Sequence, residues 1–310
     1  MPELPEVQTT THGLDTHIRD LVITDVWTDY NSKFFEGKDS IKNPTYFKKF
    51  KKEVVGSTIS HVSRRAKNIL IHLTRDGTEI GSILVHMKMT GHMLYGKYAF
   101  NSKNSWTPIE EGPLKDPFNR FIHFVLTLSN KRHVALSDMR KFAKVTFIPH
   151  HHHTTTNHLK DIGPEPLEKE FSFEVFRSQL RTKPQGKIKP TLMDQSIIAG
   201  IGNIYADESL WRAGIHPEQP VETISLPYLK KLYTAIRTTL MQGIDFGGDS
   251  MSDYRNIHGE RGKFQETHRA YRKTGTLCSK PGCKGKILRK MIAGRSSHFC
   301  SIHQKLTTRT

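Results

Sequence analysis

The sequence predicts a multidomain α+β fold with a β-rich region first, a helical region next and a small cysteine-bearing module last. Alternating or β-branched segments fill residues 20 to 148, and the apolar spacing becomes helical from about residue 172. The three cysteines all follow residue 277. We therefore expect a β-domain at 1–149, a linker at 150–160, a helical domain at 161–266 and a final module at 267–310.

The β-rich region is typical of an antiparallel sandwich preceded by one helix. Its strand candidates are separated by turn residues and are LVITDVW, HVSRRAKNILIHL, SILVHMKM, FIHFVLTL and HVALSD. One early helix is predicted from Pro5 to about Ile18, because proline is favoured in the first turn of a helix. Strands and turns are expected from there to residue 148.

The helical region follows a stretch without periodicity, HHHHTTTNH from His150 to His158, which is typical of a solvated linker. Helical spacing then appears in FSFEVFRSQL, PTLMDQSIIAGIGNIYADESLWRAG and LPYLKKLYTAIRTTLMQ. Glycines at 200, 202 and 214 suit turns where two backbones, or a backbone and a phosphate, approach closely. The stretch at about 245–266 is expected to be a long loop that is too polar to pack, and such loops are often functional.

The charge balance indicates a polyanionic partner. Lys and Arg number 47 against 30 Asp and Glu, which gives a formal net charge of +17 and a pI near 9.7. A basic balance alone also fits a ribosomal or membrane-surface protein. Since no run of 18 apolar residues and no secretory signal pattern occur, we expect a soluble cytoplasmic protein without a membrane span.

The final module has the ligand pattern of a metal site. Its spacing is Cys278-x4-Cys283, then sixteen residues, then Cys300-x2-His303. Two close pairs of soft ligands around a hairpin-sized stretch suit one tetrahedral, structural Zn²⁺. Residues 268–310 also hold eleven Lys or Arg and no Asp or Glu. We expect the metal to hold a basic hairpin in place for contact with phosphate.

The first seven residues, MPELPEV, could supply a nucleophilic N-terminal amine. Aminopeptidases remove Met1 when residue 2 is small, and removal would leave Pro2 as a secondary amine. An α-amino group has an ordinary pKa of about 8, so part of it is uncharged and nucleophilic at neutral pH. Two carboxylates, Glu3 and Glu6, follow closely and are suited to proton transfer beside such an amine.

Several motifs occur here in one order along the whole chain. They are PELPEV, RRAK at 64–67, HMKMTG at 86–91, GPEPL at 163–167, KIKPTLMDQ, GIGNIYADE, AGIHP and the four-ligand metal pattern. The chain thereby resembles the formamidopyrimidine-DNA glycosylase family, relatives of endonuclease VIII. The resemblance implies a two-layer β-sandwich with an N-terminal helix, a helix–two-turn–helix bundle and a zinc-finger β-hairpin.

The resemblance also implies the chemistry. In this family the N-terminal proline amine, here Pro2, attacks C1′ of a damaged nucleotide, and the resulting iminium leads to β- and δ-elimination. An iminium is an electron sink that acidifies the C2′ proton. Glu3 is implied as the main acid/base, with Glu6 nearby, and Lys67 as a catalytic and phosphate-contacting lysine.

DNA contacts are implied in two groups. The residues that fill the void left by the extruded base map onto Met89, Arg140 and Phe142. Those that hold phosphate map onto His86, Lys189, Asn203, Tyr271 and Arg295. The stretch at about 245–266 corresponds to the segment that caps the flipped base. Two departures are Lys88 in place of the usual glycine of the HMKMTG motif, and a histidine as fourth metal ligand.

The interpretation from sequence is therefore a bifunctional DNA glycosylase and AP lyase for oxidised purines, acting as a monomer on damaged double-stranded DNA. An endonuclease VIII-like enzyme for oxidised pyrimidines is the alternative within the family. A non-catalytic DNA-binding scaffold is the alternative from another class, although mere binding requires none of Pro2, Glu3 and Lys67.

Overall fold

A computed structural model describes residues 1–102, 104–152 and 156–307. Its contacts divide the chain into two units, Met1–Lys160 with Phe246–Lys263 and Asp161–Asp245 with Phe264–Thr310. The stretch 246–263 thus groups with the β-domain, whereas the sequence placed it with the helical domain. The predicted linker at 150–160 includes residues 153–155, which lie outside the described residues.

The first unit is a sandwich of two four-stranded antiparallel sheets, as the sequence predicted. One sheet has the order β1-β8-β9-β5 and the other β10-β4-β3-β2, and β6 and β7 form a separate hairpin. The strands are β1 (Ile23–Thr28), β2 (Thr58–Arg65), β3 (Asn68–Arg75), β4 (Thr78–His86), β5 (His92–Gly96), β6 (Tyr98–Phe100), β7 (Trp106–Pro108), β8 (Ile122–Leu128), β9 (His133–Ser137) and β10 (Lys144–Pro149).

The N-terminal helix packs on this sandwich. Helix α1 (Leu4–Ile18) lies against β2 and buries Val7, Leu14 and Ile18 in the main apolar core. Burying each such side chain stabilises the fold by roughly 1.5–3 kcal/mol. The predicted helix from Pro5 to Ile18 is confirmed.

A second helix, α2 (Pro44–Val54), lies where only strands and turns were expected. The side chain of Asn43 caps it by accepting the Thr45 N–H at 3.1 Å, and proline occupies its first turn. Its four lysines interrupt the apolar pattern, and Phe50 and Val54 are its only buried residues. The expectation of strands was wrong, although Phe47, Phe50 and Val54 follow the i, i+3, i+7 spacing of a helix, so the signal was present in the sequence.

The stretch 246–263 contains no helix or strand, yet it is packed. Tyr254, Arg255 and Ile257 are each at most 4 % exposed. The Ile257 side chain lies against α1 so closely that a Cβ on Gly13 would come within 3.0 Å of it. Its carbonyl accepts the Tyr95 N–H at 2.7 Å. The expectation that this stretch is too polar to pack was wrong, since a few apolar anchors suffice to hold it.

In its described residues the second unit contains four α-helices and a β-hairpin, in agreement with the predicted order. The elements are α3 (Phe173–Arg181), α4 (Ile188–Met193), α5 (Asn203–Ala213), α6 (Leu226–Asp245), β11 (Ile287–Ile292) and β12 (Arg295–Cys300). Helices α5 and α6 pack directly, and a Cβ on Gly243 would lie 2.5 Å from the Tyr205 ring. Among the described residues, no helix has the length and apolarity needed to cross a membrane.

Candidate functional site

The start of α1 holds the predicted nucleophile and its carboxylates. Pro2 and Glu3 are buried just before the helix, whereas Met1 is 36 % exposed. The Glu3 N–H donates to Oε2 of Glu6 at 2.7 Å, and the Asp249 N–H donates to Oε1 of Glu6 at 2.7 Å. Both oxygens of Glu6 therefore accept backbone hydrogen bonds. The Glu3 side chain in turn accepts the Glu6 N–H in the capping box of α1, so both carboxylates hold the start of the helix, and the role of Glu3 in proton transfer stays a prediction.

The turn between β2 and β3 brings a lysine to the same end of the sandwich. Nε of Arg64 donates to Oε1 of Gln8 at 2.8 Å, which ties this turn to the first turns of α1. Lys67 lies in the turn and is only 6 % exposed. The structure thus places the predicted catalytic lysine on the part of the sandwich that carries Pro2 and Glu3.

His86 lies beside this turn because the β3–β4 register pairs it with Asn68. Its Nδ1 accepts the Lys88 N–H at 3.0 Å, which leaves the proton on Nε2. Burial, and then the positive charges of Lys88 and Lys67, lower the pKa of His86 to about 3. His86 is therefore a neutral hydrogen-bond donor at neutral pH, as a contact to a phosphate oxygen requires.

Two adjacent loops carry the predicted void-filling residues, and one buried carboxylate holds the loops together. Asp138 is fully buried; its Oδ1 accepts the Thr90 hydroxyl, and its Oδ2 accepts the Ala143 N–H at 2.7 Å. The Arg140 N–H donates to Oγ1 of Thr90 at 3.2 Å. The loop with Met89 is thereby fixed to the loop with Arg140.

The predicted void-filling residues Arg140 and Phe142 form a stacked pair at the surface that could contact an unpaired base. The guanidinium of Arg140 lies 4.4 Å from the centre of the Phe142 ring, and the ring is 48 % exposed. A cation stacked on an exposed aromatic ring is well placed to meet an unpaired base. Lys88 and Lys141, in the same two loops, have φ angles of +57° and +55°. Lys88 therefore adopts the left-handed conformation that the usual glycine would adopt without strain. For lysine this conformation costs about 1–2 kcal/mol of folding free energy.

In the second unit the predicted phosphate-contacting residues differ in how exposed their side chains are. Asn203 begins α5, where backbone N–H groups favour anions, and its buried Oδ1 has no hydrogen-bond partner within the described part of the chain. Arg295 is exposed and directly follows the hairpin turn at Ala293 and Gly294. Tyr271 is half-buried, with its N–H donating to Oε1 of Glu208 at 2.8 Å.

Lys189 is held by protein partners in this structure, and its predicted phosphate contact stays a prediction. Its side chain is 1 % exposed, and Nζ lies 2.7 Å from Oδ1 of Asp207. The same Nζ donates to the Ser296 carbonyl at 2.8 Å and to Oγ of Ser297 at 2.9 Å. The ammonium therefore donates two hydrogen bonds within the fold and forms an ion pair with the buried Asp207 carboxylate. Lys189 therefore joins α4 to α5 and to the C-terminal hairpin.

The four predicted metal ligands form one cluster. The ligand atoms of Cys278, Cys283, Cys300 and His303 all lie within 4.8 Å of one another. Cys283 Sγ is 3.5 Å from Cys300 Sγ, and Cys278 Sγ is 3.4 Å from His303 Nδ1. These separations match the edges of a tetrahedron around an ion with metal–sulfur bonds of about 2.3 Å. The cluster can bind a metal ion.

Hydrogen bonds from the surrounding chain orient ligand side chains of the cluster. His303 Nε2 lies 3.1 Å from the Trp211 carbonyl, so Nε2 carries the proton and Nδ1 directs its lone pair at the cysteines. The N–H groups of Gly285 and Ile302 each donate to a cysteine sulfur at 3.4 Å. A Cβ on Gly285 would lie 2.5 Å from Sγ of Cys300. The chain thus fixes both the tautomer and the sulfur positions.

The buried residues that organise these groups were not predicted from the sequence. Asp138 holds the void-filling loops, and the fully buried Asp207 accepts hydrogen bonds from both N and Nδ1 of His298 at 2.9 Å. Arg255 pairs with Asp116 at 3.2 Å and fixes the stretch 246–263. Asp138 is the last residue of the quoted HVALSD segment and Asp207 lies within GIGNIYADE, so both aspartates belong to segments that the sequence already singled out. Nothing in the sequence singles out Arg255.

Comparison with known proteins agrees with this architecture. The formamidopyrimidine-DNA glycosylase N-terminal domain matches residues 1–145, and the H2TH domain of the same family matches residues 162–255. A formamidopyrimidine-DNA glycosylase of Pelotomaculum thermopropionicum is 35 % identical over 99 % of this chain and all of that protein.

Two similar solved structures are DNA complexes. A Lactococcus lactis FPG mutant with Fapy-dG containing DNA has a TM-score of 0.80 and 30 % identity, and covers 98 % of this chain and 100 % of its own. MutM with carbocyclic 8-oxo-G containing DNA has a TM-score of 0.79 at the same identity and coverage. The chain therefore belongs to the formamidopyrimidine-DNA glycosylase family.

Proposed function

We propose that this protein is a bifunctional DNA glycosylase and AP lyase that removes oxidised purines, 8-oxoguanine and formamidopyrimidines, from damaged duplex DNA. The observation that carries the proposal is the start of α1, where Pro2 and Glu3 are buried at the end of the sandwich that also presents Lys67. The net charge of +17 supports a polyanionic substrate. Family relatives bound to DNA with 8-oxo-G or Fapy-dG support the choice of oxidised purines.

The chemistry follows from a secondary amine beside a carboxylic acid. After removal of Met1, the Pro2 nitrogen attacks C1′, and the C1′–base bond breaks with its electron pair leaving on the base, which takes up the proton that the Pro2 nitrogen loses. Glu3 donates a proton to the sugar oxygen as the C1′–O4′ bond opens, which gives a cationic iminium. Loss of the C2′ proton then expels the 3′ phosphate, and a second elimination expels the 5′ phosphate. Lys67 is suited to holding a phosphate oxygen during these steps.

In this proposal the metal cluster has a structural role and takes no part in catalysis. We assign Zn²⁺, because three thiolates and one imidazole form a closed tetrahedral set with no open position. Zinc would fix the hairpin that carries Arg295 towards phosphate. The neutral His86 and the exposed Arg295 then hold the backbone, while Met89, Arg140 and Phe142 fill the space left by the extruded nucleotide.

The test is borohydride trapping with purified protein confirmed to begin at Pro2. Duplex DNA carrying 8-oxoguanine opposite cytosine, and separately an abasic site, is mixed with protein, and adducts are located by peptide mass spectrometry. A crosslink on Pro2 with both substrates supports the proposal. A crosslink with the abasic site alone would keep the lyase and indicate a different base, such as an oxidised pyrimidine. The absence of any crosslink would refute the enzyme and leave a DNA-binding scaffold.

Matched carboxylate variants separate chemistry from anchoring. We expect Glu3→Gln to lower single-turnover excision by about 10²–10⁴-fold, as loss of an acid/base does, whereas its amide oxygen can still accept the Glu6 N–H of the capping box and so limits the loss of stability. Glu6→Gln should mainly lower the unfolding free energy, because its two backbone partners would face an amide that has only one acceptor oxygen. Equal loss of excision at unchanged stability in both variants would contradict this division of roles.

A further inference from the structure

The first unit contains a cavity of about 680 Å³ that the catalytic scheme does not use. Four lysines and a single carboxylate line it, namely Lys38, Lys42, Lys88, Lys144 and Asp39. The rings of Phe35 and Phe142 form part of its wall. It therefore combines a strong positive charge with apolar walls.

The cavity is built by the segment before α2 together with the void-filling loops. Lys42 is 7 % exposed, and its ammonium lies 5.0 Å from the centre of the Phe35 ring and 2.5 Å from the Lys141 carbonyl. Lys144 begins β10, where it pairs in register with His86. Lys88 and Phe142 come from the two loops that Asp138 joins. The lysines thus converge from separate parts of the sequence.

The charges of this cavity are poorly compensated. Within the described part of the chain, none of the four ammonium groups forms a salt bridge. Burial, and then the charge of Lys88, lowers the pKa of Lys144, although Asp39 acts in the opposite direction. The pKa of His158, whose ring touches the Lys144 ammonium at 3.1 Å, is also lowered, so this histidine adds no charge at neutral pH. A bound anion would relieve the mutual repulsion of the lysines.

We propose that this cavity binds a backbone phosphate of the DNA beside the void-filling loops. The inference rests on the proposed function, because it takes DNA as the ligand. DNA is favoured over a small phosphorylated compound because Lys88 and Phe142 line the cavity and also belong to the loops expected to enter the duplex. The apolar walls suit the deoxyribose next to the phosphate. The segment before α2 thereby extends the DNA contact beyond the damaged nucleotide.

The test compares two double variants with the same change of charge. Lys38→Gln/Lys144→Gln removes two cavity lysines, and Lys48→Gln/Lys52→Gln removes two exposed lysines of α2 that do not line the cavity. Binding to a duplex with a stable abasic-site analogue is followed by fluorescence anisotropy across a salt series. For each phosphate that the protein no longer neutralises, we expect about 5-fold weaker binding near 0.15 M salt and a slope of log K against log salt that is about 0.9 smaller.

Because one phosphate is expected in the cavity, the cavity variant should bind about 5-fold more weakly, while the α2 variant changes by less than about 2-fold. Equal weakening in both variants would overturn the proposal in favour of diffuse attraction. Unchanged DNA binding by the cavity variant would also overturn it; loss of inorganic pyrophosphate binding by calorimetry in that variant would then identify a small phosphorylated ligand. If the cavity variant misfolds, the single variant Lys38→Gln, at an exposed position, is compared with Lys48→Gln instead. The expected change in log K is then half as large.

Wild-type protein that binds no DNA at all would refute the proposed function together with this inference. Wild-type protein that binds DNA and is trapped at Pro2, combined with a cavity variant that binds as tightly, would refute the cavity assignment alone. The two failures are therefore distinguishable.

Discussion

Replacing Lys189 with methionine tests whether this residue supports the fold or contacts phosphate. Methionine keeps the shape of the side chain but removes the ammonium, which leaves the fully buried carboxylate of Asp207 without its cation 2.7 Å away. Removing one partner of a buried ion pair costs about 3–5 kcal/mol, because the remaining charge is uncompensated. We therefore expect Lys189→Met to lower the unfolding free energy of the second unit by that amount.

The assay is urea unfolding followed by fluorescence of Trp211, in zinc-containing buffer and in a background with Trp27→Phe and Trp106→Phe. Only three tryptophans are present, so this background reports on the second unit alone. Lys183→Met is the control, because Lys183 pairs with Asp194 at side-chain exposures of 48 % and 30 %. Such an exposed pair contributes about 0–1 kcal/mol.

A stability loss in Lys189→Met no larger than in Lys183→Met would refute this reasoning. If the variant kept its stability but bound DNA with a salt slope about 0.9 smaller, the phosphate contact predicted from sequence would be right after all. Adding Asp207→Asn should recover part of the stability, because the carboxylate left without its cation is then replaced by a neutral amide.

Three further predictions concern the site. His86 has a folded pKa of about 3 against an ordinary value near 6.5, so between these pH values the unfolded chain binds the extra proton and stability falls as pH falls. We expect His86→Gln to lose less unfolding free energy than wild type between pH 6.5 and pH 4, measured by denaturant titration. Lys88→Gly should raise the unfolding free energy by about 0.5–1 kcal/mol in the same assay. Glycine accepts a φ of +57° without the strain of about 1–2 kcal/mol, but it loses about 0.5–1 kcal/mol more chain entropy on folding. His303→Cys should retain one zinc ion and His303→Ala should lose it, measured with a chromophoric chelator.

Much of the architecture could be predicted because its signals are local. Helix α1, the strand-rich region and the metal pattern each depend on residues close together in the sequence. The Cys278/Cys283 and Cys300/His303 pairs define a tetrahedral set by spacing alone. Helix α2 was missed although Phe47, Phe50 and Val54 have helical spacing, and the stretch 246–263 was misjudged because average polarity conceals Tyr254 and Ile257.

The sequence by itself determined the order of the domains, the family and the types of residue at the site. It did so because the motifs are short and contiguous, and because the metal ligands must have fixed chemistry. Tertiary structure alone decided which charged groups are available to a ligand. Lys189 and Lys38 look equally basic in the sequence, yet the Lys189 side chain is 1 % exposed and pairs with Asp207, while Lys38 is exposed and forms no salt bridge within the described part of the chain. Burial and pairing depend on residues far apart in the chain, and these interactions exist only once the chain has folded.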